Sequence, residues 1–301
     1  MTRCCRFLLY CLLLLTVLPM NTLAAQPAAV LPAGGWQGEV VGQPRFYTIR
    51  NNDTLIQLAR LEGVGFNTLT GANPGVDPWL PPAGRKVLIP DAVILPEEIG
   101  PGITINLAEM RLYDLWQDKG KWRIKIYPVG IGVEGWDTPL GTFRIINHID
   151  NPCWTQPPDI RKEHPDLPTV VGSGPDNPLG GYWMGLSIPG YGIHGTNEPY
   201  GVGRRVSHGC IRLYPKDIKE LFSRVPNGTR VRIIYQPIKI GLSGSTLYAE
   251  VHRDFLHRIH DPIDEVLRQE KRLHWDWKID WNDLSRALNE QRGVPVPIAS
   301  R

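Results

Sequence analysis

Hydrophobic and polar positions alternate with a period of two along several segments in the middle of the chain. The alternation runs through Ile103–Leu107, Met110–Leu115, Trp122–Val129 and Gly141–Ile145. This period is typical of β-strands that bury one face. Because no helix of useful length separates these segments, they predict a mostly antiparallel sheet. The expected fold class is therefore mainly β with minor α.

A second pattern precedes this region. Tyr47–Ile49 and Val87–Ile89 read as short strands, and helical spacing over Leu55–Glu62 and Phe66–Ala72 lies between them. Asp53 is suited to cap the first helix, and Asn73-Pro74 stops the second. The sequence therefore predicts a small β-α-α-β module over residues 44–91.

The pattern after the alternating segments predicts less regular structure. Residues 151–181 carry seven prolines and almost no periodicity, which favours a lid or binding loop over an ordered surface meander. A helix is expected to begin at Tyr214-Pro215, and a strand to follow at Thr229–Tyr235. Residues 237–301 predict a C-terminal extension with one strand, Thr246–Val251, and two amphipathic helices.

The first 24 residues have the pattern of a cleavable secretory signal. Arg3 and Arg6 precede the apolar run Phe7–Leu18, and small residues allow cleavage after Ala24. The run is short for a membrane span, so no transmembrane segment is expected in the mature chain. Residues 25–43, rich in Ala, Pro and Gly, predict a linker. The chain is expected to be exported to the periplasm.

Charge and cysteine content then exclude several classes of protein. The 33 basic and 30 acidic residues become nearly balanced once Arg3 and Arg6 leave with the signal, so nucleic-acid binding is not expected. Three of the five cysteines also leave, and Cys153 and Cys210 remain. Two cysteines make at most one bridge, and a free thiol in an oxidising compartment needs a chemical reason.

The C-terminal extension leaves a further question open. It gathers histidines and tryptophans whose spacing is not diagnostic of a metal, so a metal site and plain packing against the domain both remain, and packing is favoured. These residues are His252, His257, His260, His274, Trp275, Trp277 and Trp281.

The stretch Val206–Tyr214, VSHGCIRLY, supplies the chemistry-bearing residues. A thiol at Cys210 and an imidazole at His194, on a separate segment, suit nucleophilic acyl transfer. An imidazolium beside the thiol is expected to lower the thiol pKa. Gly209 permits an unusual turn whose amides can face an oxyanion, and Arg212 can hold a carboxylate at two points.

Two other interpretations of the same residues compete with catalysis. His194, His208 and Cys210 could bind zinc, but a fourth ligand is not apparent. A buried cysteine with satisfied histidines would need no chemistry at all. The residues taken together favour catalysis, and neither a metal nor another cofactor is expected.

The segment IHGTNEPYGVGRRVSHGCIRLY, Ile193–Tyr214, resembles the signature of the L,D-transpeptidase catalytic domain family. The upstream stretches TPLGTF and GPDNPLG resemble the same family. Residues 44–91 resemble a LysM module, which binds peptidoglycan glycan strands. The resemblance implies an antiparallel β-sandwich or barrel-like catalytic domain over residues 99–236.

The resemblance also implies roles for individual residues. Cys210 is the nucleophile, and His194 is the general base, oriented by the carbonyl of Gly195. Amides around His208, Gly209 and Cys210 form the oxyanion hole. Ser207 and Arg212 shape the pocket or engage the stem peptide of peptidoglycan. The acyl acceptor is a neighbouring stem or an outer-membrane lipoprotein. If water were the acceptor, the enzyme would be an L,D-carboxypeptidase. If the C-terminal domain were a relic without activity, the protein would only bind the wall.

Overall fold

The computed structural model describes residues 28–31, 36, 38–272 and 277–300. The signal expected at residues 1–24, together with His274 and Trp275, lies outside the described residues. Within the described residues, no helix has the length and apolar character needed to cross a membrane.

The β-α-α-β order expected near the N-terminus is present, and a second pair of short strands flanks it. α1 begins at a Thr54 cap whose hydroxyl accepts from the Gln57 amide, and Gly63 ends it in the left-handed conformation. The elements are β1 (Ala29–Leu31), β2 (Val40–Val41), β3 (Arg45–Thr48), α1 (Leu55–Glu62), α2 (Phe66–Ala72), β4 (Lys86–Ile89) and β5 (Val93–Ile94).

The central region contains most of the strands. They are β6 (Gly102–Asn106), β7 (Arg111–Asp118), β8 (Lys121–Pro128), β9 (Ile131–Gly132), β10 (Gly141–Asp150), β11 (Trp154–Thr155), β12 (Val170–Val171), β13 (Tyr182–Leu186), β14 (Gly192–His194), β15 (Arg205–Ser207), β16 (Ile211–Arg212) and β17 (Arg230–Ile234). The helices are α3 (Pro158–Glu163), a 3₁₀ turn (Pro199–Gly201) and α4 (Pro215–Arg224).

One sheet dominates the molecule, with the strand order β1-β8-β7-β6-β17-β10-β13-β14-β16. Most neighbours are antiparallel, but β17 runs parallel to β6 and β14 runs parallel to β16. The expected fold class, mainly β with minor α, is confirmed. The main hydrophobic core packs Ile103, Leu112, Ile193 and Ile211 together with Leu221 of α4.

Parts of the expected linker are regular structure. β1 pairs antiparallel with β8 at the sheet edge, and β2 pairs with β5. Leu31 and Val41 are buried in a second hydrophobic cluster. β1 and β2 are therefore held against the body of the molecule by strand pairing and by burial of apolar side chains.

The C-terminal extension forms its own three-stranded sheet, in the order β18-β19-β20. Its elements are β18 (Ile238–Ser243), β19 (Thr246–Val251), α5 (Pro262–Arg272), α6 (Trp281–Glu290) and β20 (Val296–Ser300). α6 begins at Asp280, whose carboxylate accepts from the amides of Asn282 and Asp283. The helices cover a hydrophobic cluster that includes Ile240 and Leu284.

Candidate active site

The pairing of β14 with β16 brings the two key segments together. Ile193 lies opposite Ile211, and His194 lies opposite Arg212. Both isoleucines point into the main core. Because side chains alternate along a strand, His194 and Arg212 face away from that core. His194, Cys210 and Arg212 all line one cavity of about 1030 Å³.

The imidazole of His194 is buried and has a defined tautomer. Its Nδ1 lies 2.6 Å from the carbonyl oxygen of Gly195. A carbonyl only accepts, so Nδ1 carries the proton and Nε2 holds the free lone pair. Burial, helped by the charge of Arg212, lowers the pKa of His194 to about 3, against the opposing carbonyls of Gly195 and Leu179.

A tryptophan fixes the face of this imidazole. Trp183 lies opposite His194 in the β13–β14 register, and the two rings stack with centroids 5.7 Å apart. A Cβ at Gly192 would lie 2.5 Å from the indole, so only glycine leaves room for it. The sequence did not single out Trp183, because nothing local shows which strand lies beside His194.

The thiol of Cys210 lines the cavity, where burial disfavours its ionised form. Its Sγ is 3.5 Å from the carbonyl oxygen of Gly190. Burial raises the pKa of the thiol, while the Gly192 amide and the charge of Arg212 lower it by less. The expected lowering of the thiol pKa is therefore wrong for this state, because desolvation outweighs both stabilising contacts.

Ser207 holds the loop that presents the thiol. Its buried hydroxyl donates to the Cys210 carbonyl at 2.6 Å and accepts from the Gly209 amide at 3.2 Å. Ser207 also contributes to the cavity wall. The Gly209 amide is thus already engaged, and the amides of His208 and Cys210 are the remaining candidates in the expected oxyanion hole.

Gly209 is required by local geometry. Its φ is +99°, and a Cβ there would lie 2.5 Å from the Tyr191 ring. Its carbonyl accepts from the buried hydroxyl of Thr138, which also accepts from the Gly132 amide. Thr138 of the TPLGTF stretch therefore anchors the loop one residue before the thiol.

His208 points toward the expected lid. Its Nε2 lies 3.5 Å from the Glu163 carboxylate at the end of α3, and its ring packs edge-on against Trp136. The Trp136 indole also donates to Glu163 at 3.2 Å. Among the described residues, His194, His208 and Cys210 do not bring three ligand atoms within 4.8 Å of one another.

Residues 151–181 line much of the cavity, as expected of a lid. The segment contains β11, α3 and β12, so it is more regular than its sequence suggests. Asn177 of the GPDNPLG stretch is fully buried and organises it. Its side-chain amide donates to the carbonyls of Pro152 and Gly172, and its oxygen accepts from Leu179. Exposed Cys153 lies on the same cavity.

Comparison with known proteins gives one consistent result. Residues 100–233 match the family described as YkuD, an L,D-transpeptidase catalytic domain. The Escherichia coli protein named probable L,D-transpeptidase YcfS is 40% identical over 268 residues, which are 84% of this chain and 81% of that protein. Probable L,D-transpeptidase ErfK/SrfK of the same organism is 37% identical, covering 90% of each chain.

A solved structure also resembles part of the chain. The catalytic domain of the E. faecium L,D-transpeptidase, determined by NMR, is 26% identical and covers 46% of this chain and 99% of that one, with a TM-score of 0.35. The likeness to YcfS and ErfK/SrfK over most of each chain and the match over residues 100–233 define the relationship. The chain belongs to the L,D-transpeptidase family.

Proposed function

We propose that this protein is a peptidoglycan L,D-transpeptidase in which Cys210 carries the acyl group as a thioester. The observation that carries the proposal is a neutral imidazole and a thiol on one lidded cavity. His194 has its proton on Nδ1, so Nε2 is free to act as a base. Neutral imidazole is the form that can accept a proton from a thiol.

The first half-reaction cleaves a tetrapeptide stem. His194 Nε2 takes the thiol proton while Cys210 Sγ attacks the carbonyl of the third residue. The amides of His208 and Cys210 face the oxyanion, and the bond to the terminal D-alanine breaks. His194 returns the proton to the leaving amine, so D-alanine departs and a thioester remains.

The second half-reaction transfers the acyl group to an amine. Attack by an amine of a neighbouring stem gives a 3→3 cross-link, and attack by a lysine of an outer-membrane lipoprotein attaches that protein to the wall. His194 Nε2 takes the amine proton and passes it to the sulfur as the C–S bond breaks, so Cys210 leaves as the thiol. The lid over the cavity favours amines over water, because it limits solvent access to the thioester.

The remaining assignments concern location and wall binding. We place the protein in the periplasm after loss of residues 1–24, and assign glycan binding to the module over residues 44–91. An alternative is that the protein binds the wall through this module and has no catalytic activity. The arrangement of His194 and Cys210 favours catalysis over that alternative.

Mass spectrometry tests the proposal directly. The purified protein is incubated with a disaccharide-tetrapeptide, and loss of D-alanine and an acyl adduct on Cys210 are expected. Cys210→Ala should abolish both, whereas Cys153→Ala, which removes the other thiol on the cavity, should keep both. An active Cys210→Ala variant would exclude the nucleophile, and retention on sacculi without altered stems would support a pure binder.

A further inference from the structure

Arg212 is a fixed cation on the cavity wall. Its amide and carbonyl both bond to Gly130, at 2.9 and 2.8 Å, and its strand pairs with β14. Among the described residues that line the cavity, it is the one Arg or Lys. Its charge acts on both His194 and Cys210. A negative group bound near the reacting atoms would therefore meet this guanidinium.

The guanidinium of Arg212 is poorly satisfied in the free protein. Its side chain is 17% exposed, and its nearest carboxylate, Glu198, is 3.9 Å away. Within the described part of the chain, its buried Nε has no hydrogen-bond partner. A guanidinium offers five donors in a planar fork that matches the two oxygens of a carboxylate. The group that would satisfy it is a carboxylate closer than Glu198.

Glu198 combines a fixed backbone with a free side chain. Its amide donates to the Thr196 hydroxyl at 2.9 Å, and its carbonyl accepts from the Gly201 amide at 3.0 Å. Its side chain is 77% exposed and also borders the cavity. The carboxylate can therefore move into solvent without disturbing the loop that carries it.

We propose that Arg212 binds a free carboxylate of the donor stem and that Glu198 occupies this position weakly until the donor displaces it. The inference rests on the proposed function and adds a specificity to it: the enzyme selects donors with a free carboxylate over donors with an amide. Two groups of a stem share this chemistry, the terminal carboxylate of D-alanine and the side-chain carboxylate of a diamino-acid third residue.

The test compares acyl-enzyme formation from three synthetic tetrapeptide donors by mass spectrometry. One donor has both carboxylates free, one is amidated at the terminus, and one is amidated on the third residue. Wild-type protein should acylate about 10- to 100-fold more slowly with one of the two amides, as expected for loss of a charged hydrogen bond. The slower amide identifies which carboxylate Arg212 binds.

Variants then assign the effect to the guanidinium. Arg212→Met should bring the acid-to-amide ratio close to one, and Arg212→Lys should give an intermediate ratio. Glu198→Gln should lower KM for the free donor, because the competing carboxylate is gone. Lys162→Met removes an exposed charge that does not line the cavity and should keep the wild-type ratio.

The ratio is measured within one protein preparation, so partial misfolding does not affect it. Loss of Arg212 would raise the pKa of His194 and would therefore change the rates with all three donors alike. An unchanged ratio in Arg212→Met, equal rates for all donors in the wild type, or a raised KM in Glu198→Gln would each overturn the inference. Absence of acyl-enzyme from every donor would instead contradict the proposed function.

Discussion

Cys210 and His194 are both neutral in the resting cavity, because burial disfavours the charged form of each. In the proposed reaction, the proton therefore passes from the sulfur to His194 as part of the acylation step. The proposed base is Nε2 of His194. The orientation of this ring depends on the Gly195 carbonyl and on stacking against Trp183. A thiol that stays protonated reacts more slowly with oxidants, because the thiolate is the reactive form.

The pH dependence of alkylation checks this protonation state. In a Cys153→Ser variant, the rate of reaction of Cys210 with iodoacetamide should rise with pH and still be rising above about 8.5, the ordinary thiol value. The reason is that a raised pKa delays formation of the thiolate. The same protein unfolded in urea should show the ordinary value. A rate that is already constant below pH 7 would indicate an ion pair and contradict this description.

Sequence reasoning could single out the proposed reacting residues but not all of their contacts. Cys210 and His194 stand out because a thiol, an imidazole and glycines occur in one short segment. Ser207 was expected to shape the pocket or engage the stem peptide; it lines the cavity, and its hydroxyl also closes the turn around the thiol, which the sequence did not indicate. The contact between His208 and Glu163 joins residues 45 positions apart, and no local pattern indicates which helix will lie above the loop.

At the scale of elements, the N-terminal module is fastened to the loop that follows His194. The amides of Phe66 and Asn67 donate to the carbonyls of Val202 and Gly203, at 3.4 and 3.2 Å. The Tyr214 hydroxyl donates to the Val64 carbonyl at 3.1 Å. The close approach depends on two glycines, because a Cβ at Gly203 would lie 2.3 Å from the Cα of Gly65.

A pair of glycine substitutions measures this attachment. Gly203→Ala should lower the free energy of unfolding by about 1–3 kcal/mol more than Gly75→Ala, because it adds overpacking to backbone strain. The control has a similar φ, +73° against +79°, but no atom within 4 Å of its added Cβ. Urea denaturation gives both values. Equal losses would show that the module tolerates separation from the loop.

Elements with clear periodicity were predictable, and those fixed by distant partners were not. β7, β8 and α4 lie where alternation or helical spacing placed them. β1 and β2 fall in a stretch of Ala, Pro and Gly, and their pairing depends on edges offered by β8 and β5. β20 pairs with β19 about fifty residues earlier in the chain, so no neighbouring residues indicate it.

At the scale of the whole molecule, a buried ionic cluster connects the central sheet with the C-terminal extension. Glu109 lies in the turn between β6 and β7 and Arg111 begins β7, whereas Lys239, Glu250 and His252 come from the extension. Lys239 lies 2.6 Å from Glu109 and 3.1 Å from Glu250. The ammonium thus occupies the place between the carboxylates that a metal ion would need.

Removal of this ammonium should loosen the extension. Lys239→Met should lower the free energy of unfolding at pH 7 by about 3–5 kcal/mol, because it leaves buried carboxylates with too little positive charge. Lys219→Met, on the exposed face of α4, should change it by less than about 0.5 kcal/mol. Urea denaturation measures both, and a Lys239→Met protein as stable as the wild type would contradict the role of the cluster.

Acid provides a second readout of the same variant. The positive groups of the cluster hold the pKa of Glu109 and of Glu250 below the usual range, against the effect of burial. Their contribution to stability is present above the ordinary carboxyl pKa of about 4.5 and is lost as pH falls below it. The wild-type and Lys239→Met stabilities should therefore converge in acid.

The parallel course of β14 and β16 has a consequence for how such a protein can diversify. The chain must turn back between the two strands before it supplies the sulfur, yet the pairing of β14 with β16 sets His194 beside the strand that directly follows Cys210. The middle of this detour, at Val202 and Gly203, carries no residue that the proposed reaction uses. The N-terminal module is attached at these two residues. The sequence of the attachment can therefore change while the paired strands that carry the site stay the same.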